Sequence, residues 1–454
     1  MHTQIDINKK YFYKVQIFVS IILLVTGCSV GKLKITGQKH PLISIKEISQ
    51  EEISVRAIRK ALNDGQHNVA QNLLELLNIG KDNVFEAHLY KGILLHRQNR
   101  LSEACKEFET CCRLINPSIG DSLKKELYKN IAHTYYNLNN FKKAANYRRS
   151  FNKLAGDEND EGFITFLESF KGEPYQIEYP KRNTALNLKL KWGIPFVKGS
   201  FNSSETMNIL IDTGANINII SSKMADKLGI QTIATGGKGK GVGGMFAFDY
   251  GVIDSLRLGN IVIRNIPVTI IDSKKMTFKW FGLIPLVKID VVIGTPLLKQ
   301  FDVTFDYKKR KFNLSVPRKK VHSSFDGNFC LVNNLIFIPV EVNEVEGLTF
   351  MLDTGGNNFA AITDNGLEEL KSQRLKTSKS YTRRGHGVGG TVKYNSIKDV
   401  TLQIYDYSIQ NVNMSIRKTG LTNPIYDGSI NNKLLRNFRL KINFVSMRLA
   451  LERY

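Results

Sequence analysis

The chain carries one short pattern twice: two aliphatic residues followed by Asp-Thr-Gly. The stretches are LIDTGA and MLDTGG, and their aspartates, Asp212 and Asp353, lie 141 positions apart. Short β-branched and aromatic runs, separated by Gly, Asn and Asp, precede both copies and predict strands joined by turns. A repeated carboxylate in a repeated frame predicts two similar β units whose acids are meant to meet.

Further matches extend this repeat in the same order along the chain. Ile194-Pro195 is aligned with Ile338-Pro339, upstream of each aspartate. GVGG occurs at 241–244 and at 387–390, which is 29 and 34 residues after the respective aspartates. The later stretches DVVIGTPLLKQFDVTFDYKKRKFNL and DGSINNKLLRNFRLKINFVSMRLAL align without a gap. We therefore expect two homologous β lobes, at 180–318 and 322–454.

A different pattern precedes the β units. Three segments combine a polar turn with an amphipathic helix, and their marked alanines, Ala70, Ala104 and Ala144, are spaced by 34 and 40 residues. Thirty-four is the tetratricopeptide period, and in the middle copy Gly92 and Phe108 suit a close approach of two helices. An unrelated bundle of helical hairpins is the alternative. Residues 50–172 are predicted to form this helical domain, which would present a surface to a protein partner.

The N-terminus predicts export and anchoring. Lys9, Lys10 and Lys14 precede the apolar run VQIFVSIILLV, which is shorter than a membrane-spanning helix needs and is typical of a secretory signal. LVTGC, ending at Cys28, resembles a bacterial lipobox, which implies a lipidated cysteine at the bacterial cell envelope, on the periplasmic side or the outer surface. The alternative is an ordinary signal or anchor with an incidental cysteine. We assign 1–27 to the signal and 28–49 to a linker.

The charge and the cysteine content exclude fewer functions than the sequence repeats do. Lys and Arg number 64 against 41 Asp and Glu, a net charge of +23, but the basic residues are spread along the whole chain. The densest run, Lys371 to Arg384, accompanies no nucleic-acid motif, so we expect no nucleic acid partner. The remaining cysteines show no disulfide framework or metal-ligand spacing and are expected to be small buried hydrophobes. They are Cys105, Cys111, Cys112 and Cys330.

Together, the two Asp-Thr-Gly turns, the two GVGG segments and the aliphatic-Ile-Gly segment ending at Gly294 resemble the retropepsin-like aspartic peptidases. The resemblance covers about residues 185–454 and implies a pepsin-style pairing of two β-barrel lobes within one monomer. The fold class expected is multidomain: α-helical tetratricopeptide-like repeats followed by an all-β acid protease fold. It implies a peptide or protein substrate, with no cofactor and no metal.

The resemblance also implies a role for each matched residue. Asp212 and Asp353 would share one proton and activate a water molecule between them. Thr213 and Thr354 would cross-link the turns, and Gly214 and Gly355 would allow close backbone approach. Ile293 and Gly294 would pack behind the first turn. The flap glycine segments would close over a substrate: Gly241, Val242, Gly243 and Gly244, and Gly387, Val388, Gly389 and Gly390.

Three residues depart from the family pattern. Ala215 and Gly356 follow the two Asp-Thr-Gly turns without the hydroxyl found there in pepsins, so we expect a dyad that titrates higher than pepsin's. Asn431 stands where a glycine is expected, which puts the support of Asp353 in doubt. The competing reading is therefore a catalytically impaired lipoprotein that binds peptides or proteins. Binding of nucleic acid or anionic lipid through the net charge is a third and weaker hypothesis.

Overall fold

The computed structural model describes residues 18–19, 33–37, 53–156, 160–179, 183–202, 204–241, 244–280, 284–317, 326–372, 381–387, 390–417 and 426–454. Within them, helices precede a region rich in β-strands, which confirms the predicted order of α and β structure. Among the helices described, none combines the length and the apolar character needed to cross a membrane.

The helical domain consists of three antiparallel hairpins and a final helix. In order they are α1 (Val55–Asn63), α2 (His67–Leu76), α3 (Val84–Arg97), α4 (Leu101–Leu114), α5 (Asp121–Asn137), α6 (Phe141–Ala155) and α7 (Glu161–Ser169). Gly92 on α3 lies against Phe108 on α4, where a Cβ would come within 2.5 Å of the ring. This is the close helix approach that the sequence suggests; assignment to the tetratricopeptide class stays a prediction.

The β region begins with two short N-terminal strands and continues after α7. The strands up to residue 316 are β1 (Phe18–Val19), β2 (Lys34–Gly37), β3 (Gln176–Glu178), β4 (Asn183–Asn187), β5 (Lys189–Lys191), β6 (Ile194–Phe201), β7 (Met207–Ile211), β8 (Ile219–Ser221), β9 (Thr232–Gly241), β10 (Gly244–Leu258), β11 (Ile261–Ile271), β12 (Thr277–Trp280), β13 (Ile284–Lys288), β14 (Val291–Ile293), β15 (Asp302–Asp306) and β16 (Lys311–Ser315). Two short helices lie between them, α8 (Ser222–Lys227) and α9 (Thr295–Leu298).

The second half of the β region follows the same plan. Its strands are β17 (Cys330–Val332), β18 (Leu335–Val342), β19 (Val345–Asp353), β20 (Ala360–Thr363), β21 (Tyr381–Gly387), β22 (Gly390–Ile404), β23 (Tyr407–Arg417), β24 (Gly428–Asn431), β25 (Phe438–Asn443) and β26 (Arg448–Arg453). Its helices are α10 (Asp364–Ser372) and α11 (Asn432–Leu435).

Strand pairing closes each half into a six-stranded barrel. In the first barrel the ring runs β6-β7-β14-β8-β11-β10 and closes where β10 pairs with β6. In the second barrel it runs β18-β19-β24-β20-β23-β22 and closes where β22 pairs with β18. A closed ring leaves few free strand edges and buries the alternating aliphatic residues of every strand inside it. The closed barrels account for the β-branched runs in the sequence.

A five-stranded sheet, here called the joining sheet, connects the two barrels. Its order is β26-β25-β15-β16-β4, and β15 of the first half pairs with β25 of the second at its centre. At one end of this pairing the Arg439 Nε donates to Asp306 Oδ2 at 2.9 Å. Asp306 is buried, so this ion pair joins the halves with less solvent screening than a surface pair has.

The structure corrects one part of the sequence alignment. Val197 pairs with Ile209 on β7, and Ile338 pairs with Phe350 on β19, so these two residues occupy equivalent positions. The match of Ile194-Pro195 with Ile338-Pro339 is therefore wrong by three residues. The alignment of the two halves follows from the number of residues between this strand and the aspartate. That number is equal in the two halves, because neither the β6–β7 connection nor the β18–β19 connection carries an insertion relative to the other. The shared Ile-Pro dipeptide is a coincidence.

The helical domain packs against the first barrel through α7. The Phe166 ring stacks on Tyr250 of β10, with centroids 5.2 Å apart, and Phe163 approaches the same ring. Gly162 abuts the backbone carbonyl of Thr235 on β9, where no side chain would fit. The hairpin β9–β10, which carries the predicted flap of the first half, is thus held from one side by the helical domain.

A partly buried lysine marks the point where the helical domain meets both halves of the β region. Lys299 follows α9, and its Nζ donates to Asn137 Oδ1 of α5 at 2.7 Å and to Asn334 Oδ1 at 3.0 Å. Burial lowers the pKa of Lys299 to about 7, because its neutral form is easier to bury than its cation. Three parts of the chain therefore share one partly buried polar contact.

Two short N-terminal segments pair with strands of the β region. Residues 34–37, assigned above to a linker, form β2, which pairs antiparallel with Tyr407–Gln410 of β23. Residues 18–19, inside the predicted signal, form β1, which pairs in parallel with Lys240 and Gly241 of β9. Both short segments add to an exposed edge of a long hairpin, which local sequence patterns do not reveal. Likewise β3 joins the first sheet before residue 180, the predicted start of that lobe.

We expect Phe166→Ala to destabilise the protein by about 3 kcal/mol, because it removes a fully buried ring from the contact between α7 and β10. Chemical denaturation of the chain without residues 1–28, called the soluble chain below, measures the free energy of unfolding. Leu76→Ala, which truncates a side chain that is 55% exposed, serves as the control and should cost less than about 0.5 kcal/mol. Equal effects of the two substitutions would contradict the packing described for α7.

Candidate active site

Each Asp-Thr-Gly turn lies at the end of a strand inside its barrel. The N–H of Asp212, directly after β7, donates to the carbonyl of Ile293 on β14 at 3.0 Å. Asp353 ends β19 and pairs in parallel with Asn431 on β24. The same strand order positions both acids, so the sequence repeat corresponds to a repeat of local structure.

The two turns are joined by a symmetrical set of hydrogen bonds. The N–H of Thr213 donates to Thr354 Oγ1 at 3.0 Å, and the N–H of Thr354 donates to Thr213 Oγ1 at 3.0 Å. Each hydroxyl in turn donates to the other half: Thr213 Oγ1 to the Leu352 carbonyl at 2.8 Å, and Thr354 Oγ1 to the Ile211 carbonyl at 2.9 Å. This cross-link fixes the turns face to face.

The structure brings the carboxyl groups of Asp212 and Asp353 within hydrogen-bonding reach of each other. The N–H of Gly214 donates to Asp212 Oδ1 at 2.8 Å, and a Cβ on Gly355 would lie 2.5 Å from the Asp212 carboxylate. Both aspartates are 0% exposed. Asp212 Oδ2 and both oxygens of Asp353 have no hydrogen bond of normal geometry to the described residues, so they are available to a third group.

Burial raises the pKa of both carboxyl groups. For Asp212, burial and then the neighbouring Asp353 charge raise the pKa well above its usual range. Hydrogen bonds from the amide N–H groups of Gly214 and Gly355 lower this pKa and so oppose the rise. Burial likewise raises the pKa of Asp353 to about 7, although the charge of Arg417 opposes this shift. Two buried carboxyls in contact cannot both ionise cheaply, so the pair holds one proton over a wide pH range.

The backbone behind the first turn approaches so closely that only glycine fits. A Cβ on Gly294 would overlap the carbonyl oxygens of Ile217 and Ala215. The following residue, Thr295, donates its N–H to the Ala215 carbonyl at 2.9 Å and its hydroxyl to the Thr213 carbonyl at 3.1 Å. Ile293, Gly294 and Thr295 therefore brace the first Asp-Thr-Gly turn from behind; the role of Thr295 was not recognised from the sequence.

The two departures in the second half compensate for each other. Asn431 occupies the position of Gly294, and its side chain fills the space beside Gly356, where a Cβ would come within 2.9 Å of the Asn431 amide. The Asn431 Nδ2 donates to Asn358 Oδ1 at 2.5 Å, and the Asn432 N–H donates to the Gly356 carbonyl at 2.9 Å. The second half thus has a large residue behind the turn and a small one within it. The first half has a small residue behind the turn and a larger one within it.

Arg417, at the end of β23, is a second residue that the sequence did not single out. Its positive charge opposes the rise in the pKa of Asp353, and its guanidinium also hydrogen-bonds to Tyr426. Arg417 pairs with Thr363 of β20, whereas the corresponding strand in the first half, β11, ends one residue earlier, at Ile271. Asp272 follows there, so only the second half brings a cation to its aspartate. An alignment of the residues that follow β11 with those at the end of β23 would have revealed this difference.

The predicted flap segments lie at the ends of two long hairpins. Gly241 pairs with Gly244 across the β9–β10 hairpin, and Gly387 pairs with Gly390 across β21–β22. Phe246 packs its ring against the backbone of Gly239. The four central flap residues and the lipidation site lie outside the described residues: Val242, Gly243, Val388, Gly389 and Cys28. In the described part of the chain, no group of three or more His, Cys, Asp or Glu side chains is arranged to hold a metal ion.

Comparison with known families agrees with this geometry. Residues 197–297 and 338–430 match the family model described as aspartyl protease. Both β units match the same family. The first matched segment contains Asp212, and the second contains Asp353. A search of curated proteins gives no match. The match supports an aspartyl protease-like function for the β region and does not extend to the helical domain.

The compensation between Gly356 and Asn431 predicts non-additive effects on stability. Gly356→Ala alone should cost about 1–3 kcal/mol, because the new methyl group overlaps the Asn431 side chain. Asn431→Gly alone removes that side chain and its hydrogen bond to Asn358. The double variant recreates the pattern of the first half, so its loss of stability should be at least about 1 kcal/mol smaller than the sum of the single losses.

Denaturant unfolding of the single and double variants measures this coupling. Gly356→Ala combined with the distant Leu76→Ala provides a control pair that should be additive. If the Gly356–Asn431 pair were equally additive, the two departures would be independent of each other.

Proposed function

We propose that the chain is an aspartic-type endopeptidase that hydrolyses peptide bonds with Asp212 and Asp353. The observation that carries this proposal is the pair of buried carboxyl groups held in contact by the cross-linked threonines. The match of both β units to an aspartyl protease family supports it. In this proposal the two barrels are the homologous lobes of one active site in a monomer.

Hydrolysis requires one charged and one protonated carboxyl group. The carboxylate removes a proton from a water molecule between the two acids, and that water attacks the peptide carbonyl carbon. The protonated carboxyl donates its proton to the carbonyl oxygen, which gives a tetrahedral diol. Collapse of the diol breaks the C–N bond while a carboxyl proton passes to the leaving nitrogen. Asp212 Oδ2 and the two Asp353 oxygens, which have no hydrogen bond of normal geometry to the described residues, are the ones that would bind the water and the substrate.

The surroundings of the two acids favour one division of these roles. The charge of Arg417 stabilises the ionised form of Asp353, and no comparable cation is among the causes that shift the pKa of Asp212. We therefore assign the negative charge mainly to Asp353, as the base, and the shared proton mainly to Asp212, as the acid. Because the two groups titrate as a pair, this assignment concerns the dominant form only.

The edge of β9 supports binding of an extended peptide. Phe18 and Val19 pair with this strand at Lys240 and Gly241, next to the predicted flap. An extended substrate can add to the same edge through main-chain hydrogen bonds. Because the two carboxyl groups are fully buried, we infer that the flap segments must open before a substrate reaches them.

We further propose that lipidated Cys28 anchors the protein at the bacterial cell envelope. Lys34, where β2 begins, lies six positions after Cys28, and this stretch spans at most about 20 Å. Since β2 is paired with β23, the second barrel would lie close to the membrane surface. The helical domain would then present its outer surface to a protein partner. Pairing of β1 with β9 would belong to the chain before signal cleavage.

A second candidate function is peptide or protein binding without hydrolysis. The observation in its favour is that Asp212 and Asp353 have no exposed surface. The compensated exchange of Gly356 and Asn431 weighs against it, because the support of the second turn is changed rather than lost.

The first test compares the soluble chain, from which residues 1–28 are deleted, with Asp212→Asn and Asp353→Asn. We expect the wild type to cleave fluorescently labelled casein and each variant to lose at least about 100-fold in kcat/KM, because each removes an acid or base. Asp226→Asn, which alters an exposed aspartate of the first half, is the control and should keep wild-type activity. Undiminished cleavage by both active-site variants would refute the proposal, and no cleavage by wild type between pH 3 and pH 8 would favour the binding function.

The second test concerns Arg417. Arg417→Gln removes a charge that lowers the pKa of Asp353, so the acidic limb of the pH profile of kcat/KM should move to higher pH. Arg417→Lys keeps the charge and should shift the profile less, and Arg453→Gln, on the joining sheet, should leave it unchanged. An unchanged acidic limb in Arg417→Gln would show that Arg417 does not act on the dyad.

A further inference from the structure

A cavity of about 520 Å³ lies on the first barrel, apart from the two aspartates. We call it the β6 slot, because most of its wall is the outer side of β6 together with β4, β5 and the start of β7. Its polar lining residues are Asn187, Lys189, Lys198, Ser200, Thr206, Asn208 and Arg257. None of them belongs to the active site described above, so the slot needs an explanation of its own.

One edge of β6 lacks a partner strand over a short stretch at this slot. On one side of β6, Ile194, Pro195 and Phe196 pair with β5, and Ser200 and Phe201 pair with β10. Between them, residues 197–199 have no partner strand on that side within the described chain. Val197 and Gly199 are buried, whereas Lys198 between them is exposed, so an added extended peptide would form its main-chain hydrogen bonds at Lys198. The shape and the backbone of the slot therefore suit a short extended segment.

The charge of the slot is of one sign. Lys189, Lys198 and Arg257 line it, no Asp or Glu does, and no ion pair joins these three to a described acid. Lys311 adds a fourth positive charge at the rim, where its Nζ donates to Asn187 Oδ1 at 2.9 Å. Cations that lack a protein counter-ion attract carboxylates and repel basic ligands. The ligand that the slot fits best is acidic.

The equivalent position of the second barrel differs in both respects. Pro339 stands opposite Thr349 as Lys198 stands opposite Asn208, and a proline has no N–H to donate to an added strand. Gly65, in the turn between α1 and α2, lies against Thr349, which is 5% exposed. The helical domain thus covers this face of the second barrel and leaves the face of the first barrel open. The equivalent position on the second barrel is therefore a contact surface that the helical domain already occupies.

We propose that the β6 slot binds an extended acidic peptide segment of another protein. The segment runs along β6 at the exposed Lys198 and places its carboxylates against Lys189, Lys198 and Arg257. This binding does not depend on Asp212 or Asp353, so it holds whether or not the chain is a peptidase. In a peptidase it would act as a second contact for protein substrates that carry acidic stretches.

Direct binding to the soluble chain tests the slot without any cleavage. The probe is a fluorescent peptide of alternating glutamate and threonine, followed by fluorescence anisotropy on the Asp212→Asn background so that the probe stays intact. We expect saturable binding that weakens with salt, because exposed charges are screened. Lys198→Glu combined with Arg257→Glu should weaken binding at least about tenfold. Lys227→Glu, an exposed lysine on α8 of the same half, is the matched control and should bind as wild type does.

Two further arms identify the ligand. A peptide with glutamine in place of glutamate should not bind, and N-methylation of alternate amides of the acidic peptide should weaken binding, since strand addition needs its N–H groups. The proposal is overturned if the double variant binds the acidic peptide as tightly as Lys227→Glu does. It is also overturned if phosphatidylglycerol vesicles bind through the same cations while the peptide does not, which would assign the slot to lipid headgroups. Matching melting temperatures of the variants exclude misfolding.

Discussion

The exchange of hydrogen bonds between Thr213 and Thr354 is the contact on which the candidate site depends. Both threonines are 0% exposed, and each uses its N–H and its hydroxyl on the opposite half. A buried donor that loses its partner costs about 1–3 kcal/mol, so separating the turns would leave several such groups unpaired at once. The contact therefore fixes the distance between the two carboxyl groups, and that distance determines how strongly each charge opposes ionisation of the other.

Three other contacts connect the two barrels and so hold the cross-linked turns in place. The joining sheet pairs β15 with β25 and carries the Arg439–Asp306 ion pair. Asn432, directly after β24, donates its Nδ2 to the Gly193 carbonyl of the first half at 2.6 Å. From outside, Lys299 connects α5 to both halves. A rigid-body rotation of one barrel relative to the other would break more than one of these contacts.

Local repetition explains what could be predicted from the sequence. The aspartates, threonines and Gly294 were identifiable because each belongs to a short segment that recurs in order, and the helices were identifiable from their period. The relation between Gly356 and Asn431 was not, because each residue viewed alone is a departure and only the contact between them shows compensation. Arg417 was missed for a similar reason: its importance comes from the distant Asp353, 64 positions away in the sequence. The pairing of β2 with β23 depends on a long-range edge that no local pattern encodes.

The two halves share a strand plan but differ in what covers them and in the charges near their aspartates. In the first half, the aromatic face of β10 is covered by α7, while the outer side of β6 is open. In the second half, the α1–α2 turn covers the equivalent outer position at Thr349, and a cation approaches the aspartate. A symmetrical pair of acids would share its proton equally, whereas a cation beside one of them fixes which acid is ionised. The duplicated fold thus provides the geometry of the site, and the residues that differ between the copies give its two acids different chemistry.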